Sequence, residues 1–165
     1  ISSGAVLNYE VASGTTIDLP TTTYNGTGTL RKTGSGMLTW QAGAATFTFG
    51  SGALVDVRAG SFEVGGASND VWTNNLSDIN IEYGATFTNV NNNMRFDALT
   101  GAGTFRSGWS TDNDWIDFGL DNGRGTFTGT FADTRSSYSN VKLTLVKNGT
   151  GTQVFCGVSN YTGDF

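Results

Sequence analysis

Apolar and polar residues alternate along this chain in short runs, and no stretch lengthens into a helical period. Ile17-Asp18-Leu19, Phe47-Thr48-Phe49, Leu54-Val55-Asp56-Val57, Phe62-Glu63-Val64, Ile79-Asn80-Ile81, Ile116-Asp117-Phe118 and Leu143-Thr144-Leu145 place apolar side chains at i and i+2. That period marks strands with one buried face. Glycine clusters precede the runs, as in Gly26-Thr27-Gly28-Thr29-Leu30, Gly50-Ser51-Gly52-Ala53-Leu54, Gly101-Ala102-Gly103-Thr104-Phe105 and Gly123-Arg124-Gly125-Thr126-Phe127. Each such unit reads as a tight corner opening a strand.

Spacing selects the architecture. From Leu30 the inward apolar positions fall at Leu38, Phe47, Leu54 and Phe62, seven to nine residues apart. Three such strands close a coil of about two dozen residues, which predicts an all-β parallel solenoid, a single domain over residues 1–165. Roughly six to seven stacked coils follow. A jelly roll or immunoglobulin-like sandwich spaces its strands similarly and would use Asn25-Gly26, Asn122-Gly123 and Asn148-Gly149 as hairpin turns. The solenoid is preferred because the Gly-x-Gly corner recurs in kind, as stacked coils require. Solenoid ends need caps, and Ile1 to Val11 is the expected one.

Two stretches carry a resemblance. Tyr24 to Gly66 reads YNGTGTLRKTGSGMLTWQAGAATFTFGSGALVDVRAGSFEVGG, and Leu143 to Gly163 reads LTLVKNGTGTQVFCGVSNYTG. Both resemble the autotransporter-associated β-strand repeat, over about two fifths of the chain. The resemblance implies a right-handed parallel β-helix and specifies function poorly. Trp40 and Val154-Phe155 stand where that repeat has small aliphatics, and Ala67 to Ser139 departs from it. Gly65 to Ser77 and Ser107 to Trp115 interrupt the strand spacing as polar insertions, the places where repeat proteins carry binding loops.

Composition narrows the chemistry. The chain has no histidine, which removes the commonest general base and any Ser-His-Asp triad. A net charge of −5 offers no footprint for nucleic acid or an anionic membrane. The single cysteine, Cys156, allows no internal disulfide and is expected to be a small buried hydrophobe. Low lysine content with abundant Asn, Thr, Ser and Gly suits a secreted protein, and the abrupt ends at Ile1 and Phe165 read as a domain cut from a larger one. Asn25, Asn75, Asn148 and Asn160 begin glycosylation-type triplets, a pattern frequent by chance in so Asn- and Thr-rich a chain. Asn89 to Asn93 is expected to form a polar ladder or a turn.

Four tryptophans remain to be placed. Trp40 shares the phase of Leu38 and belongs in the core. Trp72, Trp109 and Trp115 lie in or beside the insertions, and Trp115 has the phase opposite to Ile116 and Phe118, so it should face solvent. A Trp ring offers a flat apolar plate for the C–H face of a sugar, with Asp and Asn beside it for the hydroxyls. The competing expectation is that these rings fold back as lids on the solenoid. The run Trp109-Ser110-Thr111-Asp112-Asn113-Asp114-Trp115-Ile116-Asp117 supports three readings. Asp112, Asn113, Asp114 and Asp117 offer oxygen ligands of the kind Ca²⁺ takes, yet no Asp-x-Asp-x-Asp-Gly loop with a distal Glu follows. They could act as the paired carboxylates of an inverting glycosidase. They could accept hydrogen bonds beside the Trp plates. The third reading is preferred, which puts carbohydrate binding at Trp109, Trp115, Asp112, Asp114 and Trp72, with no metal or other cofactor.

Pectinases are parallel β-helices too, and their lyases pair a Ca²⁺ acid cluster with an Arg or Lys base; Arg95, Arg106 and Arg124 are the candidates here. This chain is much shorter, and it lacks the histidine motif of the related glycosidases. In size and in its Trp/Asp/Asn insertions it is similar to the β-helical carbohydrate-binding modules of bacterial xylan-degrading enzymes. That likeness implies a secreted, monomeric, non-catalytic module attached to a glycoside hydrolase domain and binding a plant cell-wall polysaccharide, xylan foremost. A structural or adhesive passenger segment of an autotransporter-like protein is the alternative, and a pectinase-like enzyme the second.

Overall fold

In the computed structural model every regular element is a β-strand among the described residues, which are 1–39, 45–65, 71, 72, 74–90, 93–107, 114–133, 142–163 and 165, with the backbone alone at 65, 90, 107 and 114. The first rung holds β1 (Val6–Glu10), β2 (Thr16–Asp18) and β3 (Thr23–Gly26), and the second β4 (Thr29–Thr33), β5 (Met37–Thr39) and β6 (Thr46–Phe49). β7 (Leu54–Val57) and β8 (Ser61–Gly65) form the third, which has no third strand among the described residues. β9 (Asp78–Ile81), β10 (Thr86–Val90) and β11 (Met94–Phe96) follow, then β12 (Leu99–Gly101), β13 (Thr104–Ser107) and β14 (Asp114–Phe118). β15 (Gly125–Phe127), β16 (Thr130–Ala132) and β17 (Leu143–Lys147) complete the sixth, and β18 (Gln153–Phe155) opens another.

Corresponding strands of successive rungs pair in parallel. Sheet 1 has the order β1-β4-β7-β9-β12-β15-β18, sheet 2 the order β2-β5-β8-β10-β13-β16, and the third face is split into β3-β6 and β11-β14-β17. The fold is a parallel β-helix of about five turns, since five rungs carry all three strands. The count falls below the expected six to seven because the third rung shows two strands among the described residues and β18 stands alone after the sixth.

The register stacks like on like inside. Leu30, Val55, Ile79 and Leu99 form one inward ladder, and Leu38, Phe62, Phe87, Phe105 and Phe131 another. Neighbouring rings of the second ladder lie 5.5 to 5.8 Å apart, from Phe62 to Phe131. One inward assignment shifts by a residue: Leu54 pairs with outward Thr29, and Val55 takes the core position. Ile1 to Val11 is not a cap. Val6–Glu10 is a regular strand at the edge of sheet 1, and Leu7 and Ile17 are each 38% exposed. The opposite end is better covered, by Phe165 against Phe155 at 6.0 Å and Tyr161 against Phe131 at 6.0 Å.

Two buried polar side chains replace backbone partners. Lys32, on the inward phase of β4, donates to the carbonyls of Gly34, Gly36 (2.7 Å) and Ala59 (2.7 Å). Three ammonium donors meet three acceptors, which answers the cost of burial, although desolvation still holds its pKa below the ordinary lysine value. Gln153 reaches across β15 to the rung beyond. Its Oε1 accepts from the Leu99 amide at 2.9 Å, and its Nε2 donates to the Leu99 carbonyl at 2.7 Å. A Cβ on the intervening Gly125 would lie 2.7 Å from that Oε1, so the strut requires glycine there. Gln153→Ala should cost about 1–3 kcal/mol, because it leaves Leu99 without those partners. Urea unfolding checks this; an unchanged midpoint would show that water substitutes for the amide.

The outer face of sheet 1 is a hydrogen-bonded polar lattice. Asp56 accepts from Arg31 and Arg58, both at 2.8 Å, and from Asn80 at 2.9 Å. Burial alone would raise the Asp56 pKa, but the bonds from Asn80, Arg58 and Arg31 outweigh it and hold the carboxyl below its ordinary value. A depressed folded pKa stabilises above the unfolded value of about 3.9, and the contribution disappears as pH falls through the folded one. The stability gap between wild type and Asp56→Asn should therefore shrink as pH drops below about 4. A gap independent of pH in denaturation series would refute this account of Asp56.

Candidate functional site

On the third face, β14 lies between β11 and β17, and its phase is set by the core. Ile116 and Phe118 are buried, so Trp115 and Asp117 project outward, and Trp115 is 55% exposed. Trp115 stands opposite Thr144 on β17, while Asp117 lies between Arg95 on β11 and exposed Val146 on β17. The Arg95 Nε donates to the Asp117 carboxylate at 3.3 Å. The backbone beneath is fixed in turn, because the Asn75 side chain, buried against Ser77, donates to the Arg95 carbonyl at 2.7 Å. An apolar plate, a hydroxyl, a carboxylate and a guanidinium thus share one small surface. Such a surface suits a ligand with an apolar face and hydroxyl edges.

Of the other expected site residues, Asp114 opens β14 opposite Leu143, and Trp109 and Asp112 lie outside the described residues, as does Trp40. Trp72 is corrected: it is fully buried and has no face to offer a sugar. Its ring stacks on Phe47 with centroids 4.2 Å apart and meets Phe87 edge-on at 6.1 Å. Its rung has no third strand among the described residues, and two backbone bonds hold the chain beside β6: the Phe47 amide donates to the Val71 carbonyl at 2.7 Å and the Leu76 amide to the Phe49 carbonyl at 2.9 Å, which seats Trp72 against the core. Cys156 is corrected as well. It is exposed, since it directly follows inward-phase Phe155 and so takes the outward phase.

Topology relates the two polar insertions. β8 and β13 belong to sheet 2 with only β10 between them, so the segments that follow them start from one edge of the solenoid, about 10 Å apart. The pairing of Arg95 with Asp117 spans 22 residues and could not be read without the coil length, although the run Trp115-Ile116-Asp117 already puts Trp115 and Asp117 on one side. The three arginines weighed as a lyase base are dispersed: Arg95 on β11, Arg106 on β13, and Arg124 exposed before β15. No group of three His, Cys, Asp or Glu side chains among the described residues could hold a metal ion. Compared with known protein families, curated proteins and solved structures, the chain matches none.

The two tryptophans should separate in a stability measurement. Trp72→Ala is expected to cost about 3–5 kcal/mol as a core truncation. Trp115→Ala, on an exposed position, should stay within about 0.5 kcal/mol of wild type. Equal losses in thermal unfolding would contradict the assignment of one ring to the core and one to the surface.

Proposed function

We propose that this chain is a non-catalytic carbohydrate-binding module, and that it grips a polysaccharide chain at Trp115. The observation carrying this reading is the solvent-facing Trp115 ring beside the Arg95–Asp117 pair and Thr144. A large ring left on a strand surface has no packing role there, and its neighbours offer both donors and acceptors. Trp109 and Asp112 belong to the segment that joins β13 to β14, Asp114 opens β14, and all three would extend the same site. Likeness to the modules of xylan-degrading enzymes makes xylan the first ligand to try, in a secreted bacterial protein with a hydrolase domain alongside.

The second reading, a structural or adhesive segment, is favoured by the outer face of sheet 1, where polar groups bond to one another and need no ligand. The readings part in one experiment. Calorimetry against xylan, pectin, mannan and mixed-linkage glucan, with and without EDTA, should give saturable binding to at least one polysaccharide. Trp115→Ala should weaken it by about 2 kcal/mol, as for a stacking anchor, without lowering the melting temperature. No binding across the panel supports the structural segment. New reducing ends or unsaturated uronides, abolished by Asp114→Ala, would instead make the chain an enzyme.

A further inference from the structure

Sheet 2 carries a second periodic feature on its outer side. Thr16, Met37, Ser61, Thr86, Thr104 and Thr130 stand in register, one per rung, each just before the inward ladder from Ile17 to Phe131. All are partly or fully exposed. Four successive rungs, from β8 to β16, present a hydroxyl at this position. Parallel pairing sets those hydroxyls about 4.8 Å apart, a row of about 14 Å.

These hydroxyls are unbonded. None of the five donates or accepts a hydrogen bond with any described residue. The contrast with sheet 1 is direct: there Asn8 bonds Thr33 at 3.0 Å, Asn80 bonds Asp56 at 2.9 Å, and Thr100 bonds Asn80 at 3.1 Å. The neighbouring outward row of sheet 2 differs again. Thr39, Glu63 and Thr88 are 3%, 9% and 1% exposed, so only one row of hydroxyls is offered to a ligand. Beside that row the buried Nε of Arg106 has no partner among the described residues. It lies next to the ladder, on the rung of Thr104.

We propose that Ser61, Thr86, Thr104 and Thr130 form a track for one extended polysaccharide chain running along the solenoid axis. This rests on the carbohydrate-binding reading and adds a second contact surface across the edge from Trp115. Hydroxyls donate and accept, and so do the hydroxyls of a sugar. Successive residues of an extended β-linked glycan recur at a spacing close to that of stacked strands, so each rung meets one sugar. A polyanion would find no cation in the row. An ice surface would require a two-dimensional array, and the second row is buried.

The test is the triple variant Thr86→Val, Thr104→Val, Thr130→Val, which removes the hydroxyls and keeps the β-branched shape. Calorimetry uses xylan and mixed-linkage glucan oligosaccharides of increasing length. In the wild type, affinity should rise from disaccharide to tetrasaccharide and then level off. The triple variant should lose at least about tenfold on the tetrasaccharide and little on the disaccharide, whereas Trp115→Ala weakens both. Should the triple variant melt early, the single Thr104→Val variant, which exchanges one hydroxyl for one methyl, gives the same comparison, with Thr104→Ser as the control that keeps the hydroxyl. Tetrasaccharide binding unchanged in the hydroxyl-free variants but lost in Trp115→Ala overturns the track and leaves the module reading standing. Absence of wild-type binding to every glycan overturns both, and inhibition of ice recrystallisation that these variants lose would replace glycan by ice.

Discussion

Each rung of this solenoid approaches the rung before it at the corners as closely as along the strands. At a corner the approaching atoms are carbonyl oxygens, and a Cβ would overlap them. Gly101 adopts φ +100° and its missing Cβ would sit on the Ile81 carbonyl; Gly103 next to it faces the carbonyls of Glu82 and Ala85. The amides of Ala102 and Gly103 use that proximity, both donating to the Ile81 carbonyl at 2.9 Å. Corner glycines thereby lock the rung offset, and the offset sets every register. A side chain here would push two rungs apart and break hydrogen bonds on two sheets.

With the offset locked, stacking makes each inward position a column. Columns explain why the core tolerates so much aromatic volume: Phe87 and Phe105 each pack on a ring above and a ring below, between Phe62 and Phe131. The same repetition threatens to bury polar backbone at the turns, and side chains from adjacent rungs answer it. Asp97 accepts the amides of Asp121 at 2.7 Å and Gly123 at 2.9 Å, and Asn122 accepts the Thr150 amide at 2.7 Å. Asp133 ties the Leu143 amide at 3.1 Å to that of Thr162 at 2.6 Å. Lys32 and Gln153 belong to this set. Burial alone leaves Asp78 less fortunate: desolvation raises its pKa despite a bond from the Ala98 amide, and the charges of Asp97 and Asp121 add to the shift.

The surface is the complement of those columns. Where a rung runs regularly, the outward row is polar and evenly spaced, either bonded within itself as on sheet 1 or left unbonded as on sheet 2. Irregularity concentrates on the third face, which is split between β6 and β11, where Trp72 stacks on Phe47. Trp115 lies on the regular half of that face, so its exposure follows from strand phase rather than from a flexible loop. A ring held that way is pre-organised, which lowers the ordering cost of stacking against a ligand.

Local pattern by itself determined the strands, their inward phase and the corners. Alternation and glycine spacing are properties of a few adjacent residues, and they put Leu30, Phe62 and Ile116 inside and Trp115 outside. They failed where the answer depended on a neighbouring rung. Trp72 looked like Trp109 and Trp115, a ring in a polar insertion, and only its stacking on Phe47 of the preceding rung puts it in the core. Cys156 is of a residue type usually buried and is exposed because it takes the outward phase after Phe155. The Arg95–Asp117 pair and the hydroxyl row of sheet 2 join residues 18 to 26 positions apart, at a separation that varies from coil to coil. The Thr-Phe dipeptides at 86, 104 and 130 were visible along the chain, but which stack on which is decided by coil length, and coil length is known only once the rungs are closed.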